Sequence, residues 1–150
     1  MIQIEFEETI SQPVVVVFER LTDIDGYNQW LPESRVFIEC RQTSDGPVEA
    51  GTTFIDKTRI GVYEGEVIRL QRPTRVTFRN ELQWMHFKVM ASTPDYRLES
   101  IDEGTLLNHT ARGEMFGLFK LLEPYVALRA REERRRTVRY LKSTLEDHII

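Results

Sequence analysis

The chain opens on strict alternation: Ile2, Ile4 and Phe6 are apolar while Gln3, Glu5 and Glu7 are polar. Period two is the signature of a strand with one buried face. Ser11-Gln12-Pro13 stops it. Proline in the first turn of a helix forfeits no intrahelical bond, and Ser11 or Gln12 is placed to cap the helix. A short helix is therefore predicted over Val14 to Leu21, although its four consecutive valines prefer strand. Phe18 and Leu21 continue the apolar face begun by Val14 and Val17. Asp23-Ile24-Asp25-Gly26 offers a new cap, and a second short helix runs to Trp30-Leu31-Pro32, where proline ends it.

From Val36 to about Met115 the pattern is strand-like. Val36, Ile38 and Cys40 alternate with charged neighbours up to the turn cluster Thr43-Ser44-Asp45-Gly46-Pro47. Thr53 to Arg59 follows Gly51, and Ile60-Gly61 marks a tight reversal into Val62 to Leu70. Arg72-Pro73-Thr74 is the next turn, before Val76 and Phe78. Glu81 to Ser92 reads equally as a long loop or a bulged strand. Tyr96 and Leu98 resume the alternation, Asp102-Glu103-Gly104 is a hairpin turn, and Thr105 to Met115 is the last strand.

Beyond Pro124 no Gly or Pro occurs up to Ile150, and Leu, Arg, Glu and Lys dominate. Ala127, Arg131, Arg134, Val138, Leu141 and Leu145 fall on one stripe at helical spacing. A strand, two short helices, about six antiparallel strands and one long helix predict an α+β layer fold, with a sheet of about seven strands wrapped on the terminal helix.

Composition narrows the class. Across 150 residues, 41% are hydrophobic and 29% charged, as expected of one soluble globular domain spanning 1–150. The longest aliphatic or aromatic run is Val14 to Phe18, too short for a membrane span. The first residues lack a basic leader and an apolar signal core. A lone cysteine, Cys40, fits a reducing cytoplasm.

Pro13 opening the first helix, Asp23 through Pro32, and Gly51 with Phe54 form an ordered series. Pro73-Thr74-Arg75-Val76, Tyr96-Arg97-Leu98, Gly104-Thr105, and Leu141-Lys142 with Leu145-Glu146 complete it. In that order they resemble the SRPBCC superfamily, also called START-like or helix-grip, in its polyketide cyclase/dehydrase-like or coenzyme Q-binding-like branch. The resemblance implies a curved sheet gripping the long helix, with an apolar cavity between them. It implies no cofactor and carries over no catalytic residue, because the fold hosts carriers, cyclases, hydrolases and receptors.

Strand parity turns Thr105, Leu107, His109, Ala111 and Gly113 towards the helix. His109 is thus either a hydrogen-bonded core histidine or a ligand contact. On the terminal helix, Ala127 and Ala130 leave room, whereas Arg131 and Arg134 require an anion or a carboxylate partner if buried. They snorkel to the cavity mouth, pair with Glu64 or Glu66, or recognise a carboxylate, phosphate or enolate on a ligand. Tyr63, Trp84, His86 and Tyr96 are further candidates. Trp84-Met85-His86-Phe87 is either an entrance flap or a bulged strand filling core, and Trp30 is expected to close one end of the pocket.

The histidines His86, His109 and His148 and the single cysteine give no metal-ligand spacing. No nucleophile elbow or phosphate loop occurs. Arg129 to Lys142 holds seven basic and two acidic residues, but the chain carries −4 overall, so a solvated face is expected in place of a nucleic-acid or membrane site. Three functions follow. The first is a binding protein for a small hydrophobic molecule (lipid, quinone or polyketide-like), using Arg131, Arg134, Glu66 and His109 for polar recognition. The second is a cyclase/aromatase-type enzyme in the same cavity. The third is an interaction module whose Arg135 and Arg139 dock an acidic partner. Oligomeric state is not encoded in these patterns.

Overall fold

A computed structural model of the chain describes residues 1–147. His148, Ile149 and Ile150, up to which the sequence extends the expected helix, lie outside the described residues. Nine residues of alternating burial, Ile2–Ile10, form β1. Helices α1 (Val14–Thr22) and α2 (Tyr27–Trp30) follow, then β2 (Phe37–Gln42), β3 (Thr53–Thr58), β4 (Gly61–Gln71), β5 (Arg75–Trp84), β6 (Phe87–Ile101) and β7 (Gly104–Met115). A 3-10 turn over Gly117–Leu122, which periodicity did not foresee, leads into α3 (Glu123–Glu146).

The strands form one antiparallel sheet in the order β1-β7-β6-β5-β4-β3-β2. Because β1 and β2 occupy opposite edges, the α1–α2 segment crosses from one edge to the other. Register shifts between Phe37 and Glu39, Val67 and Arg69, and Leu82 and Gln83 interrupt the ladders. Such irregularities increase twist and bend a sheet.

One expectation is corrected, and one open reading resolves to strand with a register shift between Leu82 and Gln83. Helix α1 is capped by Pro13 with no side-chain bond, so neither Ser11 nor Gln12 acts as cap. Instead the Gln12 amide donates to the Leu145 carbonyl at 3.0 Å and the Ser11 N–H to Glu146 Oε2 at 2.9 Å, fastening the end of α3 to β1. Glu81 to Ser92 is a hairpin: β5 and β6 meet at Met85 and His86, both in the left-handed region (φ 49° and 69°). A two-residue turn with positive φ at both positions matches strand twist, which explains the close reversal without the usual glycine.

Val138, Leu141 and Leu145 of α3 are buried against Ile10, Phe18, Leu21 and Leu107. Full burial of each such aliphatic side chain stabilises by about 1.5–3 kcal/mol. A second cluster, at the other end of the sheet, joins Ile2, Ile4, Leu82, Met90 and Met115 to Val126, Ala127 and Ala130. Midway along α3, Ser34 donates to Glu133 at 3.0 Å and Arg136 to the Pro32 carbonyl at 2.8 Å. The helix therefore lies across the concave face, held at both ends and in the middle. Among the described residues no helix is long and apolar enough to cross a membrane.

Candidate functional site

Between the concave face of the sheet and α3 lies a cavity of about 1360 Å³, partly open to solvent and lined mainly by apolar groups. Its lining draws on both hydrophobic clusters: Phe54, Phe78 and Tyr96 from one, and Leu82, Met90, Met115 and Ala130 from the other. Ample apolar wall with a few polar groups is the usual form of a small-molecule site.

The polar groups come from alternation. On β3, Phe54, Asp56 and Thr58 share the inward parity, which sets a carboxylate in the cavity wall. Asp56 Oδ1 is buried and has no hydrogen-bond partner. Burial lifts its pKa from 3.8 to about 6; the Arg134 cation opposes the rise and Glu133 adds to it. Arg134 projects from α3 into the same cavity and forms no ion pair among the described residues. On β5, Asn80 is only 6% exposed, faces the cavity, and its Oδ1 is also unpartnered.

Three phenols complete the wall. Tyr27 donates to the Leu21 carbonyl at 2.7 Å, and the Tyr63 hydroxyl reaches Met90 Sδ at 3.7 Å. Burial raises the pKa of all three, Tyr96 included, while the charge of Arg134 works against that rise.

His109 stands behind this wall. It is fully buried, faces Tyr96 across the β6–β7 pair, and does not line the cavity. Its Nδ1 lies 3.1 Å from the Asp95 carbonyl oxygen, an obligate acceptor, so the proton sits on Nδ1 and Nε2 is left an unpartnered acceptor. Burial, assisted by the Arg134 charge, depresses its pKa from 6.5 to about 3. Asp95 is itself pinned on the opposite face by Arg75 (3.1 Å), Arg97 (3.2 Å) and Thr77 (2.6 Å).

Of the residues named from sequence, Arg134, Tyr63 and Tyr96 share the cavity. Arg131 does not. One residue beyond Ala130, it is turned about 100° around the helix axis, and it is exposed, outside the lining. Glu66 is on the outer face, across from Arg79 at 3.9 Å, because Tyr63, Gly65 and Val67 take the inward parity of β4. The carboxylate in the same cavity as Arg134 on the sheet side is therefore Asp56, not Glu64 or Glu66. His86 is exposed at the hairpin tip, while Trp30 is buried against Tyr27 with ring centroids 4.8 Å apart and leaves Tyr27 to face the cavity. Trp84 is at the mouth and meets Phe119 edge-on at 6.3 Å, so this segment borders the entrance and does not fill core. Asp56 and Asn80 were missed; an ionisable or amide group at the inward parity of an otherwise apolar strand face was the available signal.

A curved antiparallel sheet closed over a long helix, with a largely apolar hollow between, defines a helix-grip protein with an internal cavity. The sequence family described as "Polyketide cyclase / dehydrase and lipid transport" matches residues 1–146, and the chain belongs to it. Among solved structures it is similar to protein MLL2253 from Mesorhizobium loti (18% identity, 99% of this chain and 98% of that one, TM-score 0.73). It is similar also to NE0264 from Nitrosomonas europaea (16% identity, 98% and 96%, TM-score 0.71). CalU16 from Micromonospora echinospora shares the fold too (18% identity, 95% and 73%, TM-score 0.68). No curated protein matches the chain.

Proposed function

We propose that the protein binds a small, largely apolar molecule bearing a polar group, and that Asp56, Asn80 and Arg134 hold that group. The observation that carries this reading is the pair of buried, unpartnered oxygens, Asp56 Oδ1 and Asn80 Oδ1, in an apolar cavity that also contains an unpaired guanidinium. A buried polar group without a partner costs about 1–3 kcal/mol, and a ligand hydroxyl, phenol or enol removes that cost. Arg134 suits the acceptor or anionic side of the same group. Lipids, quinones and polyketide-like molecules combine these features with the necessary apolar bulk.

Native mass spectrometry of the purified protein is expected to reveal a bound apolar molecule. Titration with 8-anilino-1-naphthalenesulfonate should give bright fluorescence that such molecules displace. A protein that carries no bound mass and leaves the dye dark overturns the reading.

A second reading, an acid–base enzyme in the same cavity, is favoured by Asp56, whose pKa of about 6 suits proton transfer near neutrality. Arg134 would then stabilise a developing enolate. His109 is a poor proton carrier here, being screened by Tyr96 and neutral down to about pH 3. Asp56→Asn abolishing turnover while dye binding survives would distinguish this enzyme from a carrier.

A further inference from the structure

The rim of the cavity bears apolar surface that no part of the described chain covers. Leu118 and Leu121, in the 3-10 turn, are 86% and 81% exposed; Trp84, Met85 and Phe87 at the β5–β6 tip are exposed as well. The two projections form one surface, since the Phe116 N–H donates to the Val89 carbonyl at 3.0 Å and Trp84 meets Phe119. Large contiguous apolar patches on a folded chain mark interaction sites.

Charge identifies the occupant. Residues 83–88 and 116–129, which build this rim, hold the cations Lys88, Lys120 and Arg129 against one carboxylate, Glu123, in a chain of net charge −4. Glu123 is engaged by the Met1 ammonium. Lys88 and Arg129 pair with Glu81 and Glu132, but Lys120 forms no ion pair among the described residues. Projecting leucines and aromatics flanked by cations are the makings of an interfacial anchor, with apolar groups entering the acyl boundary and cations meeting anionic headgroups. A second copy would set these cations against their own kind.

We infer that the rim docks the cavity mouth onto an anionic lipid surface, so that a ligand passes between bilayer and cavity without crossing water. This goes beyond the cavity's occupancy and holds or fails separately from it.

The test uses the full chain with vesicles of phosphatidylcholine, alone or mixed with phosphatidylglycerol. Of the two tryptophans, Trp30 is 9% exposed and Trp84 61%, so an emission change reports Trp84. Co-sedimentation with the anionic vesicles and a blue shift are expected, both weakened by salt. Leu118→Asp and Leu121→Asp should each reduce partitioning by about tenfold, and Lys120→Ala by roughly fivefold. These side chains are exposed, so the fold tolerates the changes.

No association with anionic vesicles overturns the inference, as does equal association with phosphatidylcholine alone or indifference to all three substitutions. A blue shift that follows protein concentration without vesicles, with a doubled mass, assigns the rim to a second copy instead. Binding to polyglutamate but not to vesicles assigns it to an acidic protein partner.

Discussion

The imidazole of His109 stacks on the ring of Tyr96, with centroids 4.3 Å apart and planes at 28°, and so supports the phenol from behind. Phe6 closes the other side of the imidazole edge-on at 5.3 Å. His109→Ala would leave a void between β1, β6 and α3, at a cost of about 2–4 kcal/mol, and would loosen Tyr96. His109→Phe fills the site and keeps a ring stack but removes the donor to the Asp95 carbonyl, a loss of about 1–3 kcal/mol. Urea midpoints should therefore fall further for Ala than for Phe, with dye affinity following the same order.

Asp56 and His109 pull stability in opposite directions with pH. Asp56 titrates near 6 in the folded chain against 3.8 when unperturbed, so between those values the folded state keeps a proton that the unfolded state has lost. Stability from this group falls as pH rises through that window. His109 refuses, between about 3 and 6.5, a proton that the unfolded chain accepts, so its contribution rises with pH there. The two slopes offset one another from pH 3.8 to about 6, while Asp95, held below its usual range because its bonds to Arg75 and Thr77 outweigh burial, acts only at lower pH. Asp56→Asn should remove one slope and expose the other, up to about 1.4 kcal/mol per pH unit. Urea unfolding at several pH values measures it, and the variant should be the more stable protein at pH 7.

How much of this was legible follows from which signals are periodic. The parity of β7 assigned His109 to the inner face, and the 3.6-residue stripe located Val138, Leu141 and Leu145. Arg131 failed because a single stripe describes a helix facing a flat layer. In α3 the cavity lies to one side of the stripe, where Ala130 and Arg134 face it. The β5–β6 hairpin was obscured because Met85 and His86 adopt positive φ without the Asn-Gly pair that announces such turns. Asp56 was passed over because one carboxylate in a six-residue strand reads as its solvent side unless parity is followed from Phe54. The 3-10 turn left no trace because its exposed leucines break the inside–outside rule on which the reading depends.

Gly65 leaves room for Phe54 and Asn80 to take their places in the cavity wall. A Cβ there would run into the Phe54 ring, at Cε2 and Cζ, and would sit 2.8 Å from Asn80 Oδ1. Gly65→Ala must displace Phe54 or bend β4, a strain of about 1–3 kcal/mol. Because Phe54 and Asn80 both line the cavity, the variant should also bind dye more weakly than its stability loss alone predicts. Fluorescence titration at a pH where it is fully folded separates the two effects.

Arg134 and Arg131 stand within one helical turn yet face different surroundings, which makes them a matched pair for experiment. The Arg134 cation opposes the rise in pKa that burial imposes on Asp56, Tyr63 and Tyr96, whereas Arg131 figures among the causes of none of these shifts. Arg134→Gln should carry the Asp56 titration above 6 and weaken binding of an anionic probe by about ten- to a hundredfold, the loss expected for one charge-assisted bond of 1.5–3 kcal/mol. Arg131→Gln should leave both unchanged, because an exposed cation is screened by solvent before it reaches the cavity. Carboxyl-selective NMR titration of Asp56, run on both variants, gives the comparison. An equal shift in the two would mean that Asp56 senses the general charge of α3 and not one guanidinium placed beside it.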